Sequence, residues 1–237
     1  MQIDSVLVVG VCLVDEPNLA IGVIEEMAAS RDWRVDQRWV ALGRQPVDEL
    51  LASVRVEHVA ELTPKFTLVN RVISQADLRD YEFLLVVDDD VKLPAGFLDN
   101  YLRLVKRTDL ALCQPARTHD SHIDHPFVER LDGLSARRTH FVEIGPLISL
   151  RRDAFPVLLP FDELSPMGWG YDLTWPSAIA SAGLRMGIVD DTPISHAFRK
   201  PVTHYNRELV ERQMAQHLAT HVHLSREDAF VILESYE

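Results

Sequence analysis

The 237-residue chain carries only two cysteines, Cys12 and Cys113, far apart and without a CxxC spacing. That pattern argues against a disulfide framework or a cysteine-based zinc site, and it fits a reducing compartment. Basic residues are also in short supply. The 24 Lys and Arg stand against 36 Asp and Glu, for a net charge of −12. So acidic a chain is a poor partner for a nucleic-acid backbone or an anionic membrane, although a nucleotide held locally through a metal is compatible with it. No stretch approaches the roughly 18 uncharged apolar residues of a membrane span. The opening MQIDSVLVVGVCLV has no basic segment ahead of its apolar run and reads as a first strand, not a signal peptide. Internal repeats, low-complexity tracts and a linker are all missing. What is left is an ordinary globular composition, 47% hydrophobic and 25% charged, expected to be cytoplasmic and to form one domain over 1–237.

The most informative stretch is Tyr81 to Lys92, YEFLLVVDDDVK. Leu84, Leu85, Val86 and Val87 form an unbroken apolar run, as in a strand buried on both faces of a parallel sheet. Asp88, Asp89 and Asp90 follow at its carboxyl end, where open α/β sheets place their ligands. Adjacent carboxylates repel one another unless a cation sits among them. Hard oxygen ligands suit Mg²⁺ or Mn²⁺. Residues two apart on an extended strand share a face, so Asp88 and Asp90 point together and Asp89 points away as a supporting acid. The alternative is a solvated acidic loop that closes a core strand.

The surrounding pattern is βαβαβ. It predicts strands at Ser5–Val14, Trp33–Leu42 and Val56–Val59, with helices at Leu19–Ser30 and Gln45–Val54. Thr63–Asp80 follows as a helix with an apolar face of Leu68, Val72, Ile73 and Ala76, off which Lys65 and Asn70 lie. Pro94–Val105 is a further helix and Leu110–Pro115 a short strand. Arg117–Arg138, with His119, His122, Asp124 and His125, reads as a long polar loop whose spacings fit no standard zinc pattern. A strand over Phe141–Leu150 and a short helix from Arg151 come next, then a helix over Asp172–Gly183 and a strand over Leu184–Val189. Tyr205–His221 and Ser225–Ser235 read as helices, the second with Ser225 and Asp228 in a capping box, and His217, His221 and His223 as a solvated helix end.

In this order, the KFTLVN segment, VVDDD, Phe141–Arg152, FDELSPMGWGYD and the late His196 resemble the nucleotide-sugar glycosyltransferases of the GT-A fold, in particular the family 2-like inverting branch. The resemblance spans about Val6 to His196. It implies a single Rossmann-like α/β domain with a mostly parallel central sheet flanked by helices. Residues 1–110 would be the nucleotide-binding half, 111–200 the acceptor and metal half, and 201–237 C-terminal helices. It places Lys65, Asn70, Asp88 and Asp89 at the donor nucleotide and Asp88, Asp90 and His196 on Mn²⁺ or Mg²⁺. Asp172 becomes the general base, Arg199, with Lys200, a diphosphate contact, and Trp169, Gly168, Glu143 and His122 the acceptor or sugar side. The partners it implies are a UDP- or GDP-linked sugar and a glycan or small-molecule acceptor. Tyr171 stands where the family has Glu, and the family's Pro-Thr/Ala-Tyr-Asn after the first strand is replaced by Val11-Cys12-Leu13-Val14.

The chemistry agrees with that set. A nucleoside diphosphate gains charge as it leaves the sugar, and a divalent cation offsets it. A base at Asp172 that accepts the acceptor hydroxyl's proton is worth on the order of 10²–10⁴-fold. Asp172 also reads simply as a helix cap. Two further functions stay open on the same residues: a non-catalytic nucleotide-sugar or glycan-binding module, and a metal-dependent phosphohydrolase built on the acids.

Overall fold

The computed structural model describes residues 4–47, 51–200 and 205–237. Its frame is one nine-stranded sheet in the order β3-β2-β1-β4-β7-β5-β8-β6-β9. The strands are β1 (Ser5–Leu13), β2 (Arg34–Leu42), β3 (Arg55–Val59), β4 (Phe83–Asp88), β5 (Leu112–Arg117), β6 (Ala136–Thr139), β7 (Leu147–Arg151), β8 (Met186–Ile194) and β9 (Ile232–Tyr236). The helices are α1 (Ala20–Ala28), α2 (Lys65–Ser74), α3 (Phe97–Arg107), α4 (Phe155–Leu158), α5 (Tyr171–Ser181), α6 (Arg207–Thr220) and α7 (Arg226–Ala229).

The first four strands are parallel, with β1 between β2 and β4. Alternation along β1 and β4 divides their side chains between two cores. Leu7, Val9, Val11, Leu84 and Val86 pack with Phe66, Leu68 and Val72 of α2 and with Tyr171 and Trp175 of α5. Val6, Val8, Phe83, Leu85 and Val87 face α1 and α3. Strands covered on both sides must be apolar at every position, which is why their sequences are near-continuous runs. Gly10 marks a close approach: a Cβ there would lie 2.4 Å from the Trp39 ring. Beyond β4 the sheet changes character. β7 runs antiparallel to both β4 and β5, β8 is parallel to β5, and β6 and β9 add antiparallel pairs. The mostly parallel sheet expected from sequence is thus a mixed one.

Other expectations are corrected as well. Of Gln45–Val54, the described residues form only a 3₁₀ turn at Leu51–Ser53, and 48–50 lie outside the described set. The polar stretch Arg117–Arg138 contains a turn at Pro126–Val128 and leads into β6. The strand is held by ladders to β8 and β9 on its two sides, and buried Arg137 meets Asp190 at 3.2 Å across the β6–β8 pair. Ser225–Ser235 is one helical turn followed by β9, not a helix. Ser225 does cap that turn, accepting the Asp228 N–H at 3.1 Å. The segment 201–237 therefore ends by joining the sheet. No helix among the described residues is long and apolar enough to cross a membrane.

Candidate active site

β4 stops at Asp88 and the chain turns at once, so the extended alternation expected of Asp88 and Asp90 does not apply. The turn instead gives each acid its own partners. Asp88 pairs with Lys65 Nζ at 2.7 Å, and its backbone N–H donates to Pro146 O at 2.8 Å. Lys65 is the first residue of α2, so the helix start delivers its ammonium to the end of β4. Asp89 is 1% exposed. It accepts the Leu13 N–H at 2.7 Å and meets Arg199 at 2.5 Å, which ties the ends of β1 and β4 together. Burial pushes the Asp89 carboxyl up to about 6, with Arg199 and the Leu13 N–H pulling the other way. At Asp90, burial also works against the charge, but His196, Arg199 and Lys65 hold the carboxyl below its ordinary value. His196 Nε2 lies 3.2 Å from Asp90 Oδ1 and Arg199 Nε 3.4 Å from Oδ2.

These groups form one end of a cleft of about 510 Å³ at the carboxyl ends of β1, β2 and β4. Its other walls are largely apolar and include Val11, Leu13, Leu42, Leu62 and Met167, together with Val210 of α6 and its N-cap Asn206. A neighbouring open groove of about 690 Å³ runs past Leu19, Lys92, Leu93 and Phe198.

The fit to a divalent cation can be tested on the side chains. Asp90 Oδ1 is buried without a hydrogen-bond donor and faces His196 Nε2. That pair suits an octahedral ion that takes its remaining ligands from phosphates and water. Asp88, expected as a third ligand, is drawn off by Lys65, and Asp88, Asp90 and His196 do not bring three ligand atoms within 4.8 Å of one another.

Asp172 occupies the first turn of α5, behind Gly170 at the N-cap, so it is not the cap itself. Its Oδ1 is buried and unpartnered. Burial pushes the carboxyl up to about 6, while the charge of His125 lowers it and that of Glu143 raises it. His125 Nδ1 is hydrogen bonded to Glu143 at 2.8 Å, and this bond raises the histidine's affinity for a proton. Glu143 also pairs at 2.8 Å with Arg117, which donates in addition to Gly145 O. Gly145 in turn abuts Asp88 and Lys65: a Cβ on it would lie 3.1 Å from both. The Asp172 group and the acidic turn thus meet at the Gly145–Pro146 segment, although Asp172 is not among the residues lining the main cleft.

The remaining expected residues have the following places. Lys65, Asp88, Asp89, Asp90, His196 and Arg199 share the cleft. Asn70 does not: its amide bonds Phe161 N, Phe161 O and Glu163, so it braces the 161–163 loop. Gly168 is buried at φ +86°, where a Cβ would strike Phe66, and its role is to let that loop pack. Glu143 has both oxygens taken by Arg117 and His125. His122 is exposed, and its backbone N–H donates to His196 O at 3.0 Å. Trp169 is half-buried, edge-on to Tyr205 at 6.0 Å. Arg199 lies on the carboxylates, not apart from them. From sequence Arg117 has no role, and His125 is marked only as one of the histidines of the polar loop. The signal for Arg117 is a charge that closes the wholly buried strand LCQPAR.

A central mixed sheet flanked by helices, with acids and a late histidine at the end of its parallel half, defines a GT-A-like Rossmann-type α/β fold. Among solved structures the chain is similar to S. aureus TarS 1-349 in complex with UDP-GlcNAc. The identity is 12% and the TM-score 0.56, over 94% of this chain and 68% of that one. It matches a longer S. aureus TarS structure at 12% identity and TM-score 0.56, covering 96% of this chain but 45% of that one. At such identities the likeness is one of fold. No family model and no curated protein sequence matches the chain.

Proposed function

We propose that the chain is a metal-dependent glycosyltransferase that takes a sugar from a UDP- or GDP-linked donor, in the inverting, family 2-like manner. The observation that carries the reading is the main cleft. It joins apolar walls to a floor of Lys65, Asp88–Asp90, His196 and Arg199, in a fold shared with a protein solved holding UDP-GlcNAc. Val11, Leu13 and Leu42 offer an apolar face to the nucleoside, and Lys65 and Arg199 offer cations to its diphosphate. Mn²⁺ or Mg²⁺ held by Asp90 and His196 would supply charge stabilisation for the leaving diphosphate. Trp169, two residues along the chain from the cleft residue Met167 and edge-on to Tyr205, would stack on a sugar face.

Asp172 serves as the general base and takes the proton of an acceptor hydroxyl, a glycan's or a small molecule's. With its carboxyl near 6 it is ionised at neutral pH yet basic enough to hold a proton. The His125–Glu143–Arg117 chain positions charge beside it. A second reading, a binding module without catalysis, is favoured by Asp172 lying outside the main cleft lining and by Tyr171, whose hydroxyl is spent on Asp162 O at 2.5 Å.

Calorimetric titration with UDP, GDP and UDP-GlcNAc, with and without Mn²⁺, tests the first reading. Binding that strengthens with Mn²⁺ and is lost in Asp90→Asn is expected. No binding of any nucleoside diphosphate would end it. Donor turnover that disappears in Asp172→Asn separates the enzyme from the binding module.

A further inference from the structure

A second polar cluster lies away from the cleft, where α6 crosses the FDELSPMGWGYD loop. Asp162 Oδ2 is 2.8 Å from His217 Nδ1 and 3.5 Å from His221 Nε2. His217 lies in the last turn of α6 and His221 is its extended C-cap, and the chain's exit there brings their ring centroids within 4.4 Å. Among the described residues this is the one group of three potential ligand atoms that lie within 4.8 Å of one another. From sequence His217, His221 and His223 read as a solvated helix end; that is overturned for His217, which is 2% exposed, while His221 and His223 are exposed.

The hydrogen bonds orient both rings toward Asp162. His221 Nδ1 lies 2.9 Å from His217 O, and a carbonyl only accepts, so Nδ1 carries the proton and neutral His221 presents a bare Nε2. In the metal-free chain His217 Nδ1–H donates to Asp162 Oδ2 at 2.8 Å. His217 Nε2 is 3.1 Å from Thr174 Oγ1, a hydroxyl that can donate to Nε2 there, or accept its N–H once a metal ion has replaced the Nδ1 proton. The second carboxylate oxygen, Asp162 Oδ1, is occupied by the Leu164 N–H at 2.9 Å. Three potential ligand atoms thus converge, and once a metal ion replaces the proton on His217 Nδ1 each imidazole has an oxygen facing its other N–H. That is the arrangement that orients histidines bound to metal.

We propose that Asp162, His217 and His221 form a binding site for a transition-metal dication of the Zn²⁺ class, distinct from the Asp90–His196 position. Zn–N and Zn–O bonds of about 2.0–2.1 Å set tetrahedral ligand atoms about 3.3–3.4 Å apart. The 2.8 and 3.5 Å separations bracket that spacing. All three residues line a cavity of about 350 Å³ shared with Pro160 and Trp175, from which an ion could enter. The ion would clasp α6 onto the loop carrying Gly168–Asp172. α6 already packs over Gly170, where a Cβ would lie 3.2 Å from Leu218, and Asn206, Val210 and Gln213 at its other end line the cleft.

The test uses the full, untagged, metal-stripped chain titrated with Co²⁺ and followed in the visible, then with Zn²⁺. About one Co²⁺ per chain should bind, give the intense bands of a four- or five-coordinate ion, and be displaced by Zn²⁺. His221 is 42% exposed at its side chain, so His221→Ala should keep its fold on circular dichroism. It should weaken Co²⁺ binding by more than the roughly 10–100-fold that loss of a supporting partner costs. Asp162→Asn should do the same, whereas Asp90→Asn and His223→Ala should retain the bands. Absence of stoichiometric binding, bands that survive His221→Ala in a folded chain, or bands lost in Asp90→Asn would each overturn the site. Because Asp90→Asn is the variant that tests nucleotide binding, failure here and failure of the glycosyltransferase reading are separately visible.

Discussion

The acidic turn Asp88–Asp90 and the lone Asp172 are both carboxylates at partly buried positions, but they are supported in opposite ways. In the turn, Lys65 sits on Asp88, Arg199 on Asp89, and His196 with Arg199 on Asp90. At Asp172, Oδ1 has no partner, and the nearest charges oppose one another. Burial pushes Asp89 and Asp172 alike to about 6. A group whose charge is already matched is suited to hold a ligand in place. One whose charge is unmatched is suited to accept a proton.

If that contrast is right, breaking the two sites should give effects of opposite sign on stability. The largest expected effect is on turnover: Asp172→Asn should lower kcat by on the order of 10²–10⁴-fold with nucleotide affinity nearly unchanged. Steady-state kinetics beside calorimetry would show the split, and equal loss of both would erase the distinction. Next comes Arg199→Met. It leaves Asp89 buried without its counter-ion, and removing one partner of a buried pair costs about 3–5 kcal/mol. With the Arg199 side chain 14% exposed, water recovers part of this, so about 2–3 kcal/mol in chemical denaturation is expected.

The sign for Asp172 is the reverse. Its folded-state carboxyl is raised from 3.8 to about 6. Between those values the folded state holds a proton that the unfolded state has released, so stability falls as pH rises from about 4 to about 6 and is level above. Two units correspond to nearly 3 kcal/mol at about 1.36 kcal/mol each, an upper bound for a group at the mouth of a helix. Asp172→Asn should therefore stabilise the protein by about 1–2 kcal/mol at pH 7.5 and make that acid limb shallower, leaving the part that Asp89 contributes. With about 2–4 °C per kcal/mol for a chain of this size, a melting series across pH 4–8 would resolve it. Activity of the unmodified chain should fall below about pH 6 as Asp172 protonates.

How far these two regions could be read from sequence follows from the range of their contacts. The VVDDD strand end was legible because a doubly covered strand must be apolar throughout, so the acids mark its end without ambiguity. The helical spacing of Phe97, Leu98, Tyr101, Leu102 and Val105 was equally plain. β6, sequence ARRT, was not, because what holds it as a strand is its ladders to β8 and to β9, the latter about 100 residues away. β9 read as helix because ILESY lies at an exposed sheet edge, where no alternation of burial is imposed. The partners of Asp172 come from three separate segments, at His125, Glu143 and Arg226. Local periodicity contains no information about such meetings. Arg199 was assigned to a diphosphate, but nothing in its neighbourhood announced that it would rest on Asp89.

That last point gives the smallest and most discriminating test. Lys65 and Arg199 are the two cations over the acids, yet Asp88 is 29% exposed at its side chain where Asp89 is 1%. Solvent screens the Lys65–Asp88 pair, so Lys65→Met should cost only about 0.5–1 kcal/mol of stability. Its ammonium is nonetheless free to be shared with an incoming diphosphate, because Asp88 can turn to water when the ligand arrives. Lys65→Met should thus weaken UDP or GDP binding by about tenfold, the loss of one charge-assisted contact. If Lys65→Met instead destabilises as much as Arg199→Met and leaves nucleotide affinity alone, Lys65 is a structural counter-ion like Arg199. The acidic turn would then have no cation in reserve for a substrate.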